Sequence, residues 1–236
     1  MSRLLILGAG GSLGRHVVRH ALAAGHDVTA FIRTSSGLPP DLLEHVSVYS
    51  GDLSAGLPAD IVTGHDALRY CAGNVRDGHT FVRLVDRIVT SVDMLPAGER
   101  PICWLLAGAA LLDVDESGRR GVDLPVVAST YWPHRHNFER LQASHLDWRL
   151  LCPGPMVEEP GVGRDRVRIS KDTLPVEIPA PARHLPDPEL AQVLASLAPR
   201  LIVPYADAAA VMLANIARDD AMSRHRIGLA CQRGTV

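Results

Sequence analysis

Gly8, Gly11 and Gly14 stand at intervals of three within the run Gly8-Ala9-Gly10-Gly11-Ser12-Leu13-Gly14, close to the start of the chain. Glycines at this spacing suit one chemistry in particular, the binding of a pyrophosphate. One makes a sharp turn, one lets backbone approach the phosphates, and one lets a helix pack closely on a strand. Gly10, Ser12 and Leu13 lie in the same phosphate-facing turn, where a helix N-terminus offers free N–H groups and a positive dipole end. A turn that only packs would use the same residues, and what opposes that reading is the setting. Residues 3–7 (RLLIL) form a short apolar run that reads as a buried strand. After the glycines, Leu13, Val17, Val18, Ala21 and Leu22 make one face of an amphipathic helix that Gly25 is placed to end. Residues 27–33 (DVTAFIR) are a second strand. Strand, glycine turn, helix and strand within about thirty residues is the context a dinucleotide fingerprint requires.

The residues just after the second strand select the nucleotide. An NAD site carries an acidic residue there for the ribose 2′-OH, and an NADP site offers an arginine to the 2′-phosphate. No Asp or Glu lies between Val28 and Leu38; the strand ends in Arg33, followed by the hydroxyls of Thr34, Ser35 and Ser36. NADP is the expected cofactor, with NAD the alternative. Lys171 is the only lysine among 24 basic residues, so a single arginine carries less information here than in most chains.

The remaining elements must hold that turn in place. Residues 45–50 read as a third strand, closed by Gly51-Asp52-Leu53. An Asp at this place can reach an adenine amino group, and it can equally cap a short helix; both readings stand. Residues 66–72 (DALRYCA) read as a fourth strand whose end in Ala72, Gly73 and Asn74 leaves room for a cofactor at the carboxyl edge of the sheet. A helix over 80–95 carries Phe81, Leu84, Val85, Ile88, Val89 and Val92 at helical spacing, a packing face. Residues 101–106 (PICWLL) are a fifth strand, 111–125 a polar loop, 131–144 a helix and 146–152 (LDWRLLC) a sixth strand ending at Pro153-Gly154-Pro155. Prolines break up 157–200, where a substrate lobe is expected, with a short helix over 189–197. A strand at 201–203, a helix over 207–216 and a strand at 226–231 complete the chain. The expected architecture is one α/β domain over 1–236, a Rossmann-type doubly wound parallel sheet with helices on both faces and a small C-terminal substrate lobe.

At 236 residues and net charge −2, the chain gives no electrostatic case for nucleic acid or an anionic membrane. Its longest apolar run, 102–112, is too short to span a bilayer. Cys71, Cys103, Cys152 and Cys231 lack metal spacing and lie in or beside apolar runs, which reads as buried, reduced thiols in a cytoplasmic protein. The acids of the 111–125 loop do not match a calcium loop, and His16 and His20, one turn apart, have no third ligand nearby in sequence and read as an exposed helix face. No metal is expected. The partner is a small-molecule substrate, and the protein a monomer or homodimer.

Taken together, LLILGAGGSLGRHVVRHALAAGHDVTAFIR at the N-terminus, the GDL at 51–53, FERLQASHLDWRLLCPGPM at 138–156 and PYADAAAVML at 204–213 resemble the atypical short-chain dehydrogenase/reductase superfamily. The resemblance is to its NAD(P)H-binding branch, with NmrA-like proteins and flavin/biliverdin reductase. It covers most of the chain except 157–200. It implies Gly8, Gly11 and Gly14 at the pyrophosphate, Arg33 at the 2′-phosphate, Asp52 with Leu53 at the adenine, and the loop of Pro153, Gly154 and Met156 over the nicotinamide. It also implies a Tyr-x-x-x-Lys pair with an upstream Ser or Thr, and here the chain departs from the pattern. Tyr131 is followed four residues later by Arg135, a fixed positive charge that can depress a tyrosine pKa but is no copy of a lysine. The exit of the fifth strand reads Ala107-Gly108-Ala109-Ala110, without a hydroxyl. Tyr131 and Arg135 are the candidate catalytic pair; His134 and His136 are other possible proton donors near that position, but lie on different sides of a helix and are read as ordinary surface or hydrogen-bonded histidines.

Three functions fit. The first is an NADPH-dependent reductase of a small acceptor such as a quinone, flavin or carbonyl compound, for which the cofactor supplies the chemistry. The second is a non-catalytic NADP-binding redox sensor, as NmrA-like proteins are. The third, a sugar-nucleotide epimerase or dehydratase, wants the complete Tyr/Lys pair.

Overall fold

A computed structural model describes residues 1–34, 37–73, 75–218 and 220–232. Ser35, Ser36 and Asn74 of the expectations above lie outside the described residues. The strands are β1 (Arg3–Leu7), β2 (Asp27–Ile32), β3 (Ser47–Ser50), β4 (Ala67–Tyr70), β5 (Ile102–Leu106), β6 (Trp148–Pro153), β7 (Met156–Val157), β8 (Val167–Lys171), β9 (Val203–Pro204) and β10 (Arg226–Cys231). The helices are α1 (Ser12–Ala23), α2 (Pro40–Leu43), α3 (Ala59–Val62), α4 (Gly78–Asp93), α5 (Pro125–Gln142), α6 (Asp187–Leu197) and α7 (Tyr205–Ala214).

Eight strands form one sheet in the order β3-β2-β1-β4-β5-β6-β10-β8. All neighbours are parallel except β8, which runs antiparallel to β10 at the edge. The chain winds outward from β1 to β3, then returns to lay β4 on the other side of β1. That reversal opens a crevice beyond the carboxyl ends of β1 and β4, the place where ligands bind in such sheets. The doubly wound fold is as expected.

Alternation along β1 divides the core. Leu4 and Ile6 pack with Val17 and Val18 of α1 and with Ala208 and Met212 of α7. Leu5 and Leu7 face the other way, onto Phe81 and Val85 of α4 and Phe138 and Leu141 of α5. Both faces are covered, so the parallel strands read as unbroken apolar runs. A third cluster joins Val114, Leu124, Val176 and Ile178 to Leu190 and Leu197 of α6.

Several boundaries differ from expectation. Helix α5 begins at Pro125, not 131, because proline is tolerated at the first helical position. Pro133 also lies inside it. Segment 157–200 is more regular than its prolines suggest. It contributes β8, whose Ile169 lies opposite Leu229 of β10, and its first residue ends β7, which pairs with β9 in a separate two-stranded sheet. Nor is His16 on an open helix face. It bonds Glu158 at 2.6 Å and stacks on Tyr205 of α7 with ring centroids 6.1 Å apart.

Candidate active site

The glycine turn is held by contacts that exclude side chains. Gly8 has a φ of +78°, and a Cβ there would sit 2.8 Å from that of Ala72. A Cβ on Gly14 would stand 2.1 Å from the Gly8 carbonyl oxygen, so α1 rests directly on the turn. The space at Gly10 is closed by the Gly37 carbonyl, 2.9 Å from a Cβ. Gly11 starts α1 with no side-chain cap and no acidic residue in the first turn. Its opening N–H groups, which a helix cannot satisfy internally, remain suited to an anion.

This turn forms one wall of a cavity of about 660 Å³ that is also lined by Arg33, Asp52, Leu53, Ala72 and Gly73. Both readings of Asp52 fit its position. Its Oδ1 accepts from the Ser54 amide at 2.8 Å, capping the turn at Leu53–Ala55, and the same residue lines the cavity. That hydrogen bond holds its carboxyl below the usual aspartate range. Ser12, Leu13 and Gly14 do not line the cavity; Leu13 and Gly14 are buried under it.

A second cavity, about 680 Å³, lies beside the first and shares Gly73 and Phe81 with it. Gly73, at φ +122°, keeps the junction open, since a Cβ would come 2.5 Å from the Phe81 ring. Pro153, Gly154, Met156 and Tyr131 line this second space. Arg135 does not. Its Nη2 donates to Asp123 Oδ1 at 3.0 Å and to the Val122 carbonyl, which draws the guanidinium to the turn before α5 and away from the cavity. The structure therefore does not join Tyr131 and Arg135 in one site.

His134 differs from the reading as an ordinary histidine. One helical turn from Tyr131, it shares a face with it, and the rings stack with centroids 5.9 Å apart and planes 13° from parallel. The other side of the imidazole meets Phe81 edge-on at 5.7 Å. Burial pushes its pKa down to about 4, so the ring is neutral. Its Nε2 lies 2.9 Å from where a Cβ at Gly108 would stand. The missing side chain at position 108, visible in the sequence, was the one available signal, and it gave no indication of which ring would fill the space.

Comparison with known proteins agrees with this geometry. A family model described as NAD(P)H-binding matches residues 8–198. The chain belongs to the NAD(P)H-binding family. Among curated proteins none matches. A proposed NADH-flavin reductase from Streptococcus pneumoniae superposes with a TM-score of 0.72 at 20% identity, covering 98% of this chain and 100% of that one. A Rossmann-fold NAD(P)-binding family protein from Shigella flexneri gives 0.65 at 17% identity, covering 100% and 95%. A short-chain dehydrogenase/reductase from Veillonella parvula gives 0.68 at 16%, covering 100% and 96%. These likenesses establish a shared fold.

The residues present fit a nicotinamide dinucleotide. The glycine turn leaves backbone space for a pyrophosphate, α1 offers uncapped N–H groups, and Arg33 stands on the wall of the same cavity. Among the described residues, no group of three His, Cys, Asp or Glu is placed to hold a metal. No helix among them is long and apolar enough to cross a membrane. Burial pushes the thiols of Cys71 and Cys103 up to about 12, which makes them poor nucleophiles.

Proposed function

We propose that the protein is an NADPH-dependent reductase of a small organic acceptor such as a quinone, flavin or carbonyl compound. The observation that carries this reading is the junction at Gly73. A glycine-walled cavity shaped for a dinucleotide opens there into an apolar one of similar size. Gly8, Gly11 and the start of α1 would hold the pyrophosphate, Arg33 a 2′-phosphate, and Asp52 with Leu53 the adenine end. Gly14 would act from beneath, by letting α1 sit close. Pro153, Gly154 and Met156 would border the nicotinamide, which supplies a hydride when bound. The protein's own part is to orient the acceptor and exclude water. The likeness to a protein named as a flavin reductase points the same way.

The test is a side-by-side titration with NADPH and NADH, followed by tryptophan fluorescence, and then turnover of quinones, flavins and carbonyl compounds. Tight, NADPH-selective binding with turnover is the expected result; binding of neither nucleotide would refute the reading. Tyr131→Phe extends it, since unchanged turnover would remove Tyr131 as a proton donor. A cytoplasmic monomer or homodimer belongs to the same proposal and is checked by cell fractionation and size-exclusion chromatography.

One observation favours a second reading, a non-catalytic NADP-binding regulator: the cation beside Tyr131 in sequence, Arg135, is engaged by Asp123. Selective NADPH binding without turnover of any acceptor would favour it.

A further inference from the structure

The apolar cavity contains a buried group that the reductase reading does not use. Among the described residues lining it, none has a charged side chain, and the polar side chains are those of Tyr131 and His134. His134 is 5% exposed. Its Nδ1 is enclosed and has no hydrogen-bond partner. Buried polar atoms left unpaired cost stability and are uncommon, and each calls for an explanation. A neutral imidazole carries one N–H. With Nδ1 enclosed and Nε2 beside Gly108 on the cavity wall, the tautomer with its hydrogen on Nε2 is the one that presents a donor to a ligand.

We propose that His134 is a catalytic residue whose Nε2–H donates a hydrogen bond to the carbonyl oxygen of an uncharged, apolar acceptor of the quinone or conjugated-ketone class. The inference rests on the reductase reading and narrows its substrate. A phosphate or carboxylate on the acceptor would lie against Val75, Leu106, Leu174 or Leu194 with no cation to meet it, which is unfavourable away from water. This disfavours flavin nucleotides and sugar nucleotides. A carbonyl oxygen instead finds a buried neutral donor in His134, with the Tyr131 hydroxyl the other polar group of the lining, and the Phe81 and Tyr131 rings border the space a conjugated ring would take.

A bound dihydronicotinamide would supply the acceptor with a hydride, two electrons with one hydrogen nucleus, and would itself be oxidised. Negative charge develops on the carbonyl oxygen, and a proton from water completes the alcohol or hydroquinone. His134 keeps its own proton throughout. It stabilises the developing charge as a neutral donor already in place, and such a donor contributes most in a site closed to water.

The experiment uses the protein without cofactor, titrated with 1,4-naphthoquinone, and reads the carbonyl stretch of the bound quinone by infrared difference spectroscopy. The band is expected below its position in a solvent that donates no hydrogen bond. His134→Phe keeps a flat ring and removes both nitrogens, so it should return the band to that position. Turnover of the same quinone with NADPH should fall by about 100-fold, with NADPH affinity unchanged. Because the substitution also removes the unpaired Nδ1, the melting temperature should not drop. Gly108→Ala gives an independent variant. Its φ of −146° suits any residue, and the new Cβ would press on Nε2, so the same losses should follow with His134 present. An unshifted carbonyl band in the wild type, or equal turnover by wild type and His134→Phe, overturns the inference. Displacement of the quinone by FMN at lower concentration overturns the substrate class. A shifted band in a protein that oxidises neither NADPH nor NADH would sink the reductase reading and still uphold the hydrogen bond.

Discussion

The two cavities that meet at Gly73 are built in opposite ways. The first is bounded by α4 and by turns that come after β1, β2, β3 and β4, with side chains excluded at Gly8 and Gly10 and the charged side chains of Arg33, Asp52 and Asp77 among its lining. The second is made of side chains from segments as far apart as Val75 and Leu201, including α5, α6 and the loop after β6. Backbone brought close at a glycine turn recognises what many nucleotides share. A wall of side chains recognises one kind of partner, and it can change without disturbing the sheet.

The largest expected effect lies under the second cavity. Arg226 is almost enclosed and donates twice to Asp113, at 2.9 Å to each oxygen, and also to Asp172 and the Leu111 carbonyl. It ties β10 to residues just before Val114 and Leu174, which line that cavity. Removing Arg226 takes from Asp113 its side-chain partner, while Asp172 keeps His225. Arg226→Met should cost about 3–5 kcal/mol in urea unfolding. At temperatures where the variant remains folded, acceptor turnover should suffer while NADPH binding persists. Gly14→Val is the counterpart beneath the first cavity. Its Cβ has backbone on two sides, Gly8 O at 2.1 Å and Ala9 Cα at 2.8 Å, and neither can move alone. A cost of about 3 kcal/mol is expected, with NADPH binding lost first. If both variants lost both functions equally, the division between the cavities would not hold.

His134 sharpens the contrast through pH. The unfolded ring takes a proton near 6.5, and the folded one resists until about 4. Between those values the unfolded state binds more protons, so stability falls as the pH falls through that window. A shift of this size corresponds to about 3 kcal/mol. His20, His26 and His65 are also lowered, each mainly by burial, so the wild type alone does not isolate the effect. Wild type and His134→Phe compared by urea unfolding should differ in slope between pH 6.5 and 4, the variant losing less. Parallel curves would mean that the ring is not held neutral.

The same contrast explains what was legible in the sequence. β1, the glycine turn, α1 and β2 are specified locally, by an apolar run, by glycines where no side chain fits and by a helix stop at Gly25, and all could be placed in advance. The apolar runs of β5 and β6 are equally plain, because both of their faces are covered. β8 was missed because VRISK has two apolar residues among charges and becomes a strand only through pairing with β10. The engagement of Arg135 depends on where the turn at Asp123 lies, 12 residues away. His134 and His136 look alike in sequence. The difference is that the first is buried by Phe81 of α4 and the gap at Gly108 after β5, whereas His136 is exposed and meets the edge of Trp132.

Under the NADPH proposal, Arg33 should have a smaller effect, on affinity alone. It is exposed on the cavity wall, so its replacement disturbs no packing. A charged hydrogen bond to a 2′-phosphate contributes about 1.5–3 kcal/mol, less under salt screening. Arg33→Ala should therefore weaken NADPH about tenfold and leave NADH nearly unchanged, as read by fluorescence titration. Equal losses for both nucleotides would move Arg33 away from the 2′-phosphate.

The smallest effect separates two reasons for needing glycine within one motif. Gly25 ends α1 at φ +74°, its own N–H bonding Leu22 O at 3.0 Å and the next N–H reaching back to Ala21 O at 3.0 Å. This is the paired arrangement that closes helices through a left-handed residue. Nothing lies within 4 Å of a Cβ built there, so Gly25→Ala meets no clash. Its cost, about 1 kcal/mol, comes from backbone conformation alone. Asparagine, which tolerates that conformation better, should recover part of it. At Gly14 the order is reversed: φ is ordinary and the space is missing, so asparagine should be worse than alanine. Urea unfolding of the four variants tests this directly. An asparagine that helped at both positions, or at neither, would show that steric space and backbone conformation are not the separate requirements these two glycines meet.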